Sequence, residues 1–216
     1  MSQQPRPDPH YEMNCDKSDH AAVHKAAALT KLAHGQAKMA FPFHTIGHST
    51  RTIEAFVELL RAAEVSLVVD IRSVPRSRTN PQYNKETLPE RLAAFQVGYE
   101  HIAELGGLRG MTKAVEPDQN GLWKNRSFHN YADYALTESF GVGLARLIAL
   151  GRQQRCAMMC SEAVWWRCHR RIVADHLIAR GERVFHLMGK DRVVRARMTE
   201  GARVQEGGVL IYPVEK

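Results

Sequence analysis

The sequence predicts an α/β fold of three layers, in which a mostly parallel β-sheet carries helices on both faces. Strand-like apolar runs alternate with helix-periodic segments from Phe41 onward. The runs "VSLVVDI" and "CAMMC" are almost continuously apolar, as in strands that are buried on both faces. A chain of 216 residues, 44% hydrophobic, suffices for one sizeable core. We therefore expect a single domain over residues 41–216, preceded by an N-terminal extension over 1–40.

The first predicted cycle is a β-α-β unit. "FPFHTIGHS" indicates a strand that ends in a glycine turn, and "VSLVVDI" indicates a second strand. Between them, "TIEAFVELLRAAE" has apolar residues at helical spacing, with Thr52 as its N-cap. The next cycle has a long loop, "RSVPRSRTNPQYNK", a helix over about Leu88 to Val97, and a strand "YEHIAEL" before the turn "GGLRG".

The second half continues the alternation after another long polar loop. "NYADYALTESFGVGLARLIALG" predicts one helix that ends at Gly151, and "CAMMC" predicts the fourth strand. "CHRRIVADHLIARG" predicts a helix with Gly181 just beyond its end, and "RVFHLM" predicts the fifth strand. The tail is compatible with an edge hairpin. The extension over 1–40 contains an alanine-rich stretch that is typical of a short helix or a loosely ordered segment.

Charge and cysteine usage limit the function classes. A formal charge of +7 and a pI near 9.4 favour anionic partners. The four cysteines are few and unevenly spread, which favours free thiols or ligands in a reducing compartment over a disulfide framework: Cys15, Cys156, Cys160 and Cys168. We find no leader-like start and no run of roughly 20 apolar residues, so we expect a cytoplasmic protein without a membrane partner.

Polar side chains follow the predicted strands at their carboxyl ends. In an open parallel sheet these ends meet at one edge, where helix N-termini also point and where ligands bind. We therefore predict one polar pocket, in which Cys160, Glu162 and His169 are the candidate catalytic residues. The candidate substrate-binding residues are His48, Ser49, Arg72, Ser73, Arg76, Tyr83, Cys168 and Arg170.

Several of these segments also occur together in one known family. "TIGHS", "VVDIRSVPRSR", "PQYNKETLPERL", "LGGLRG", "FHNYADYALTESF" and "CSEAVWWRCHRRIVADHL" stand in this order over about Phe43 to Met188. They resemble the bacterial family called domain of unknown function 488 (DUF488). The resemblance implies a compact α/β fold and a shared polar pocket built from these motifs. Its members are described as associated with DNA repair, and the chemistry of the family is unassigned.

The arginines have two interpretations. Guanidinium groups of Arg72 and Arg170 beside a helix N-terminus would present fixed donors to a phosphate or carboxylate. Alternatively, Arg72 pairs with Asp70 or Glu162 as a structural bridge. Ser49 and Ser73 either donate to a phosphate or cap helices. The aromatic residues of the long loops either stack on a base or anchor those loops to the core: Tyr83, Trp123 and Tyr131.

The cysteines have three interpretations beyond a place in the core. Cys160 or Cys168 could be a nucleophile with His169 or His48 as its base. Zinc is the alternative cofactor, with Cys160, Cys168, His169 and His48 as ligands, although the two cysteines are further apart than in a usual knuckle. A redox disulfide between Cys160 and Cys168 requires the loop to bring the two thiols close together. Glu162 would act as a general base or orient a neighbour.

The leading functional hypothesis is an enzyme that acts on a nucleotide, a nucleic acid or another phosphate-bearing substrate, with the reaction class left open. One alternative is a noncatalytic nucleic-acid-binding module that uses the basic surface, whose affinity would fall steeply with salt. Another is a Cys/His metal-binding protein. The sequence leaves the oligomeric state open.

Overall fold

A computed structural model describes residues 41–112 and 114–214, and the predicted extension over 1–40 lies outside them. The described part folds as a three-layer α/β domain, as predicted. The strands of its main sheet are β1 (Phe43–Gly47), β2 (Leu67–Asp70), β3 (Gly98–His101), β4 (Cys156–Cys160), β5 (Val184–Gly189) and β6 (Arg192–Arg195). The α-helices of this part are α1 (Ile53–Ala62), α2 (Leu88–Ala93), α3 (Arg126–Tyr134), α4 (Glu138–Gln153) and α5 (Arg170–Ile178).

The main sheet has the strand order β3-β2-β4-β1-β5-β6. Neighbouring strands are parallel except β6, which pairs antiparallel with β5 at one edge. Gly47 is in register with Cys160, and Asp70 is in register with Met159. The carboxyl ends of β1, β2 and β4 therefore lie side by side, and the loops that follow them meet.

Two buried clusters fill the space on the two faces of the sheet. On one face, Phe56 of α1 and Leu92 of α2 pack in a cluster with Met159. On the other, Leu144 of α4 and Ile172 of α5 pack in a cluster with Met158. Because side chains alternate along a strand, Cys160 points to the same face as Met158, toward the start of α5.

Most predicted elements are confirmed, and helix α1 shows why. Its hydrophobic face is buried, and Thr52 Oγ1 accepts a hydrogen bond from the Ala55 backbone N–H at 3.2 Å. This side-chain cap satisfies a donor that the first turn leaves free. Gly181 follows α5 with φ of +81°, a left-handed conformation that suits glycine beyond a helix end.

The segment predicted as one helix ending at Gly151 is two helices, α3 and α4. Thr137 separates them: its Oγ1 donates to the Tyr134 carbonyl at 2.7 Å and accepts from the Phe140 N–H at 3.4 Å. Gly151 lies inside α4, so it does not end this helix as predicted. A Cβ atom there would be 2.3 Å from Cε1 of the buried Phe43 ring, so close packing is the reason for this glycine.

The tail forms strands, in a different arrangement from one edge hairpin. Strand β6 extends the main sheet, while β7 (Arg203–Val204) and β8 (Leu210–Ile211) pair with each other. Tyr212 anchors the tail, because its hydroxyl donates to the buried Asp175 carboxylate of α5 at 3.0 Å. No helix among the described residues has the length and apolar character that crossing a membrane requires.

Gly151→Ala should lower the free energy of unfolding by about 1–3 kcal/mol, since the new methyl group overpacks against Phe43. Gly141→Ala in the same helix is the matched control, because no heavy atom lies within 4 Å of its added Cβ. That control should stabilise the protein by about 0.5–1 kcal/mol. Urea unfolding of both variants tests this, and equal effects would contradict the packing role of Gly151.

Candidate functional site

A pocket of about 420 Å³ opens at the carboxyl end of the sheet. Its wall comes from the loops after β1, β2 and β4, from the turn after β3, and from the start of α3. The predicted site residues that it brings together are His48, Arg72, Ser73, Arg76, Cys160, Glu162, Cys168 and His169. Three other predicted residues, Ser49, Tyr83 and Arg170, are not among those that line it.

The centre of the pocket is the imidazole of His169, which immediately precedes α5. Its Nε2 lies 3.0 Å from the Ile71 carbonyl oxygen, and a carbonyl can only accept, so Nε2 carries a hydrogen. In the neutral ring, Nδ1 is then the nitrogen with the free lone pair. It lies 3.6 Å from Cys168 Sγ and 3.9 Å from Cys160 Sγ. Nδ1 is therefore placed to exchange a proton with either thiol.

A glycine allows the His169 ring to take this position. A Cβ atom on Gly107 would lie 2.4 Å from His169 Nδ1, so a side chain there would displace the ring. On another side, the buried Tyr131 ring lies 5.0 Å from the imidazole, between ring centroids. Tyr131 belongs to α3, and its hydroxyl donates to the Leu105 carbonyl at 2.8 Å. It anchors the turn after β3 and has no exposed face for a base.

The two thiols beside His169 form a buried pair. Cys160 Sγ, Cys168 Sγ and a ring nitrogen of His169 all lie within 4.8 Å of one another, and both cysteines are free. A hydrogen bond from the Cys168 thiol, supported by His169 and Arg170, holds the pKa of Cys160 well below its usual range despite burial. Burial and that same hydrogen bond raise the pKa of Cys168. Cys160 is therefore the thiol of the pair that gives up its proton more readily, and Cys168 is the one that keeps it.

Arg170 lies behind this pair as a buried cation. Its side chain is 1% exposed, and Nη2 donates to the Glu162 carbonyl at 2.7 Å, while Nε and Nη1 have no hydrogen-bond partner. No carboxylate of the described residues forms an ion pair with it. A buried charge without compensation is costly. A thiolate on Cys160 would supply negative charge for Arg170, and the positive charge of Arg170 helps to lower the pKa of that thiol.

Arg72 is placed differently, because it has a carboxylate partner. Its Nε donates to Asp70 Oδ1 at 2.9 Å and its Nη2 to Asp70 Oδ2 at 2.6 Å. Nη2 also donates to the Tyr83 carbonyl at 2.7 Å. This is the structural bridge that the sequence offered as one interpretation. Arg72 still lines the pocket, with its charge largely neutralised by Asp70.

His48 has both ring nitrogens occupied. Arg72 Nη1 lies 3.3 Å from its Nε2, and a guanidinium only donates, so Nε2 accepts and Nδ1–H donates to the Ser49 carbonyl at 2.8 Å. Burial lowers the pKa of His48, which keeps it neutral. His48 is thus not free to act as a base for Cys160, nor is it part of the group of possible metal ligands.

Tyr83 and Ser49 support His48 from outside the pocket. The Tyr83 ring is fully buried and stacks on the His48 ring, with centroids 4.1 Å apart. Its hydroxyl donates to the Thr52 carbonyl at 3.3 Å. Ser49 has φ of +49° in the turn after β1, where its backbone N–H donates to the Ser161 carbonyl at 3.1 Å. Both residues contact the site from outside and do not line the pocket.

The remaining predicted residues lie near the rim. Arg76 is exposed and forms an ion pair at 3.4 Å with the exposed Glu86. The Ser73 hydroxyl accepts from the Leu108 N–H at 2.9 Å, so it braces the turn after β3. Glu162 is exposed on the loop after β4. Its carbonyl sits where a Cβ on Gly47 would be, at 2.0 Å, which makes a glycine necessary at the end of β1.

Sequence reasoning missed part of the wall. Val74, Ser77 and Leu108 lie in irregular loops that have no periodic signal, Arg167 ends a short 3₁₀ helix, and Ser127 and Phe128 lie in the first turn of α3. Arg167 could have been found, since it lies between two predicted site residues on the loop after β4. With Arg72, which is paired with Asp70, and Arg76, which is paired with Glu86, it gives the wall three guanidinium groups beside the carboxylate of Glu162. Val74 and Leu108 add apolar surface that is 60% and 77% exposed.

The loop after β4 carries neighbouring tryptophans. Trp165 stacks on His186 of β5, with ring centroids 4.3 Å apart and an angle of 7° between the planes. Trp166 is 45% exposed. Trp123, the third tryptophan, packs between Phe128 at 4.9 Å and the Arg171 guanidinium, also at 4.9 Å. It anchors its loop and does not line the pocket.

Comparison with known proteins links these residues to one family. The family model described as domain of unknown function DUF488 matches residues 52–177, more than half of the chain. The matched span contains Arg72, Gly107 and the whole segment from Cys160 to Arg170. No curated protein and no solved structure matches the sequence.

Alkylation of the folded protein by iodoacetamide should begin at Cys160. Only the thiolate reacts, so a lowered pKa keeps its rate high until the pH falls well below 9.0, the ordinary thiol value. Cys156 is the internal control, since burial raises its pKa to about 12. Peptide mass spectrometry across a pH series measures both rates. A Cys160 rate that rises through pH 9.0 like that of a free thiol would contradict the thiolate assignment.

Arg170→Gln should slow alkylation of Cys160 several-fold at a fixed pH near neutrality, because it removes a positive charge that stabilises the thiolate. Arg171→Gln is the matched control: Arg171 donates to Thr199 at 2.9 Å and is not among the charges that lower the pKa of Cys160. Circular dichroism verifies folding of both variants. Equal rates in the two variants would show that Arg170 does not tune the thiol.

Proposed function

The chain belongs to the family described as domain of unknown function DUF488, and since that description names no reaction, we propose a function from the site itself. We propose that the protein is a thiol-dependent enzyme that acts on a phosphate-bearing substrate. One observation carries the proposal: His169 Nδ1 lies within 3.9 Å of both sulfurs while its Nε2–H is fixed on a backbone carbonyl. A nucleophile beside an oriented base is the arrangement that covalent catalysis requires.

The charge of the pocket supports an anionic substrate. Arg76 and Arg167 are exposed on the wall, and Arg72 also lines the pocket, so guanidinium groups and the two cysteines line the same cavity. Arginine presents several fixed N–H donors and suits the oxygens of a phosphate group. A volume of about 420 Å³ fits a small molecule or one flipped nucleotide. The exposed Val74 and Leu108 would contact the part of the substrate that carries no charge.

The proposed reaction has two halves. In the first, the Cys160 sulfur attacks phosphorus, a sulfur–phosphorus bond forms, and the ester phosphorus–oxygen bond breaks. Cys160 gives its proton to His169 Nδ1 as it attacks, and that proton then moves to the leaving oxygen. In the second, water attacks phosphorus while Glu162 takes its proton, the sulfur–phosphorus bond breaks, and phosphate leaves as the thiolate is regenerated. The proton on Glu162 then returns to the Cys160–His169 pair, which restores the starting state. Cys168 stabilises the thiolate between turnovers by donating its S–H hydrogen bond.

Cys160→Ser should lower turnover of the responsive substrate by at least about a thousandfold, since it removes the nucleophile. The assay uses nucleoside phosphates, an aryl phosphate and short oligonucleotides, which separates the possible sources of phosphate. Acid quenching and mass spectrometry should show a phosphate adduct on the peptide of Cys160. Cys15→Ser is the control for loss of any thiol. Normal turnover by Cys160→Ser would rule out this mechanism.

Arg167→Ala should raise KM about tenfold or more, with a smaller change in kcat, if Arg167 binds the anion in ground and transition states alike. Arg167 is exposed, so the substitution should leave folding intact. Arg183→Ala lies outside the pocket lining and is the matched control for loss of one positive charge. An unchanged KM for Arg167→Ala would exclude Arg167 from substrate binding.

A metal site is the second candidate, because one observation favours it. On a tetrahedral zinc ion, a thiolate sulfur at about 2.3 Å and an imidazole nitrogen at about 2.1 Å lie about 3.6 Å apart. The two observed sulfur–nitrogen distances are 3.6 and 3.9 Å. The Nε2–H bond to the Ile71 carbonyl is also the kind of contact that orients a histidine ligand. Such a site would use Cys160, Cys168 and His169 and leave one position open to the pocket.

Cobalt(II) titration distinguishes the two candidates. Tight binding at one ion per chain, with the visible bands of a tetrahedral thiolate site and loss of both in His169→Ala, would support the metal site. It would also displace the nucleophile proposal, because both thiols would then be ligands. Absence of these bands, together with a phosphate adduct on Cys160, would exclude the metal site and support the thiol mechanism.

A further inference from the structure

Cys160 and Cys168 are placed to react with each other. Both sulfurs contact the same Nδ1 of His169, and the ligand atoms of this group lie within 4.8 Å of one another. Cys156 stands at the other end of β4, about 13 Å away by strand rise, with its side chain in the core. Among the described residues, Cys160 therefore has Cys168 as its thiol neighbour.

A disulfide requires the two sulfurs to approach to about 2.05 Å, so they must close a gap of less than about 3 Å. Cys160 is fixed, because β4 lies between β1 and β2, and its carbonyl accepts from the His48 N–H at 2.9 Å. Cys168 has extended backbone angles between a short 3₁₀ helix (Trp165–Arg167) and α5. Its end of the connecting loop is the side that can move.

The loop that connects Cys160 to Cys168 has several exposed residues, which favours a shift of Cys168 toward Cys160. Ser161, Glu162, Trp166 and Arg167 are exposed, so shifting them disrupts little of the core. Cys168 Sγ accepts a hydrogen bond from the Arg170 N–H at 3.5 Å, and this contact would have to give as the sulfur moves toward Cys160. Both sulfurs also line the pocket, which is wide enough for a small oxidant. Geometry, access and loop freedom thus converge on the same pair.

We propose that hydroperoxides convert Cys160 and Cys168 into an intramolecular disulfide. Cys160 is the thiol that the peroxide oxidises first, and Cys168 is the resolving thiol. This inference uses the same residues as the proposed function, and it does not depend on a phosphate-bearing substrate. The disulfide would remove the nucleophile reversibly, and it would protect Cys160 from irreversible oxidation.

The proposed chemistry balances with a hydroperoxide as the oxidant. The Cys160 thiolate attacks the outer peroxide oxygen and the O–O bond breaks, which gives a sulfenic acid on Cys160. The alkoxide or hydroxide that leaves takes a proton from solvent and departs as alcohol or water. The Cys168 sulfur then attacks the Cys160 sulfur as His169 Nδ1 takes the Cys168 proton. Hydroxide leaves Cys160, receives that proton and departs as water. The peroxide gains two electrons, and the two thiols lose them.

The test treats the reduced full-length protein with one equivalent of hydrogen peroxide without denaturant. The expected product is lighter by two hydrogen atoms, returns to the starting mass with dithiothreitol, and yields a disulfide-linked peptide joining Cys160 to Cys168. This peptide map needs no variant, so misfolding cannot obscure it. A link that includes Cys15 or Cys156, or a Cys160 that gains two oxygens in the wild-type protein, would overturn the proposal.

Variants assign the two roles. Cys168→Ser should lose the disulfide and give a dimedone adduct on Cys160, followed by sulfinic acid. Cys15→Ser should form the disulfide as the wild type does. A disulfide that forms normally while no phosphate ester is turned over would refute the proposed function alone. Turnover that depends on Cys160 without any disulfide would refute only this inference.

Discussion

The hydrogen bond from His169 Nε2 to the Ile71 carbonyl governs the rest of the site. It connects the start of α5 to the chain just beyond β2, two segments that are far apart in sequence. It also decides which ring nitrogen faces the sulfurs, since the nitrogen that donates to the carbonyl cannot face them. The bare backbone of Gly107 leaves the space in which the ring lies. The proposed proton exchange, metal coordination and disulfide formation each use Nδ1 in this position.

The charges of the two buried arginines at the site, Arg72 and Arg170, are compensated in different ways. Arg72 has a carboxylate, Asp70, on its own strand end, so its charge is largely neutralised and its main effect is to hold Tyr83 and His48 in place. Arg170 has a single carbonyl partner and two unpaired donor atoms. The positive charge that lacks a carboxylate partner is therefore that of Arg170, beside the cysteines, where it favours ionisation of Cys160. A buried cation of this kind favours an anion beside it, whether sulfur or substrate.

The sequence was most informative where burial is uniform. Strands such as β4 and β2 are buried on both faces, so their apolar runs locate them, and polar residues just after them mark the pocket edge. It was less informative where one side-chain hydrogen bond decides the outcome. Thr137 divides the predicted long helix, and Arg72 occupies the His48 nitrogen that sequence reasoning had assigned to a base or a ligand. Tyr83 and Arg170 stand near the site in sequence, yet their side chains turn into the interior. The contributions of Val74 and Leu108 depend on loop paths that no periodicity encodes.

The tryptophans of the loop after β4 lead to one more consequence. Trp165 stacks on His186, Trp166 is exposed, and both lie between Cys160 and Cys168. Indole emission is sensitive to nearby imidazole and to water, and the sequence has only three tryptophans. Whatever ligand, ion or covalent bond alters this loop will alter two of the three chromophores. The loop therefore contains a natural optical reporter, which allows the state of the pocket to be followed in solution without an added label.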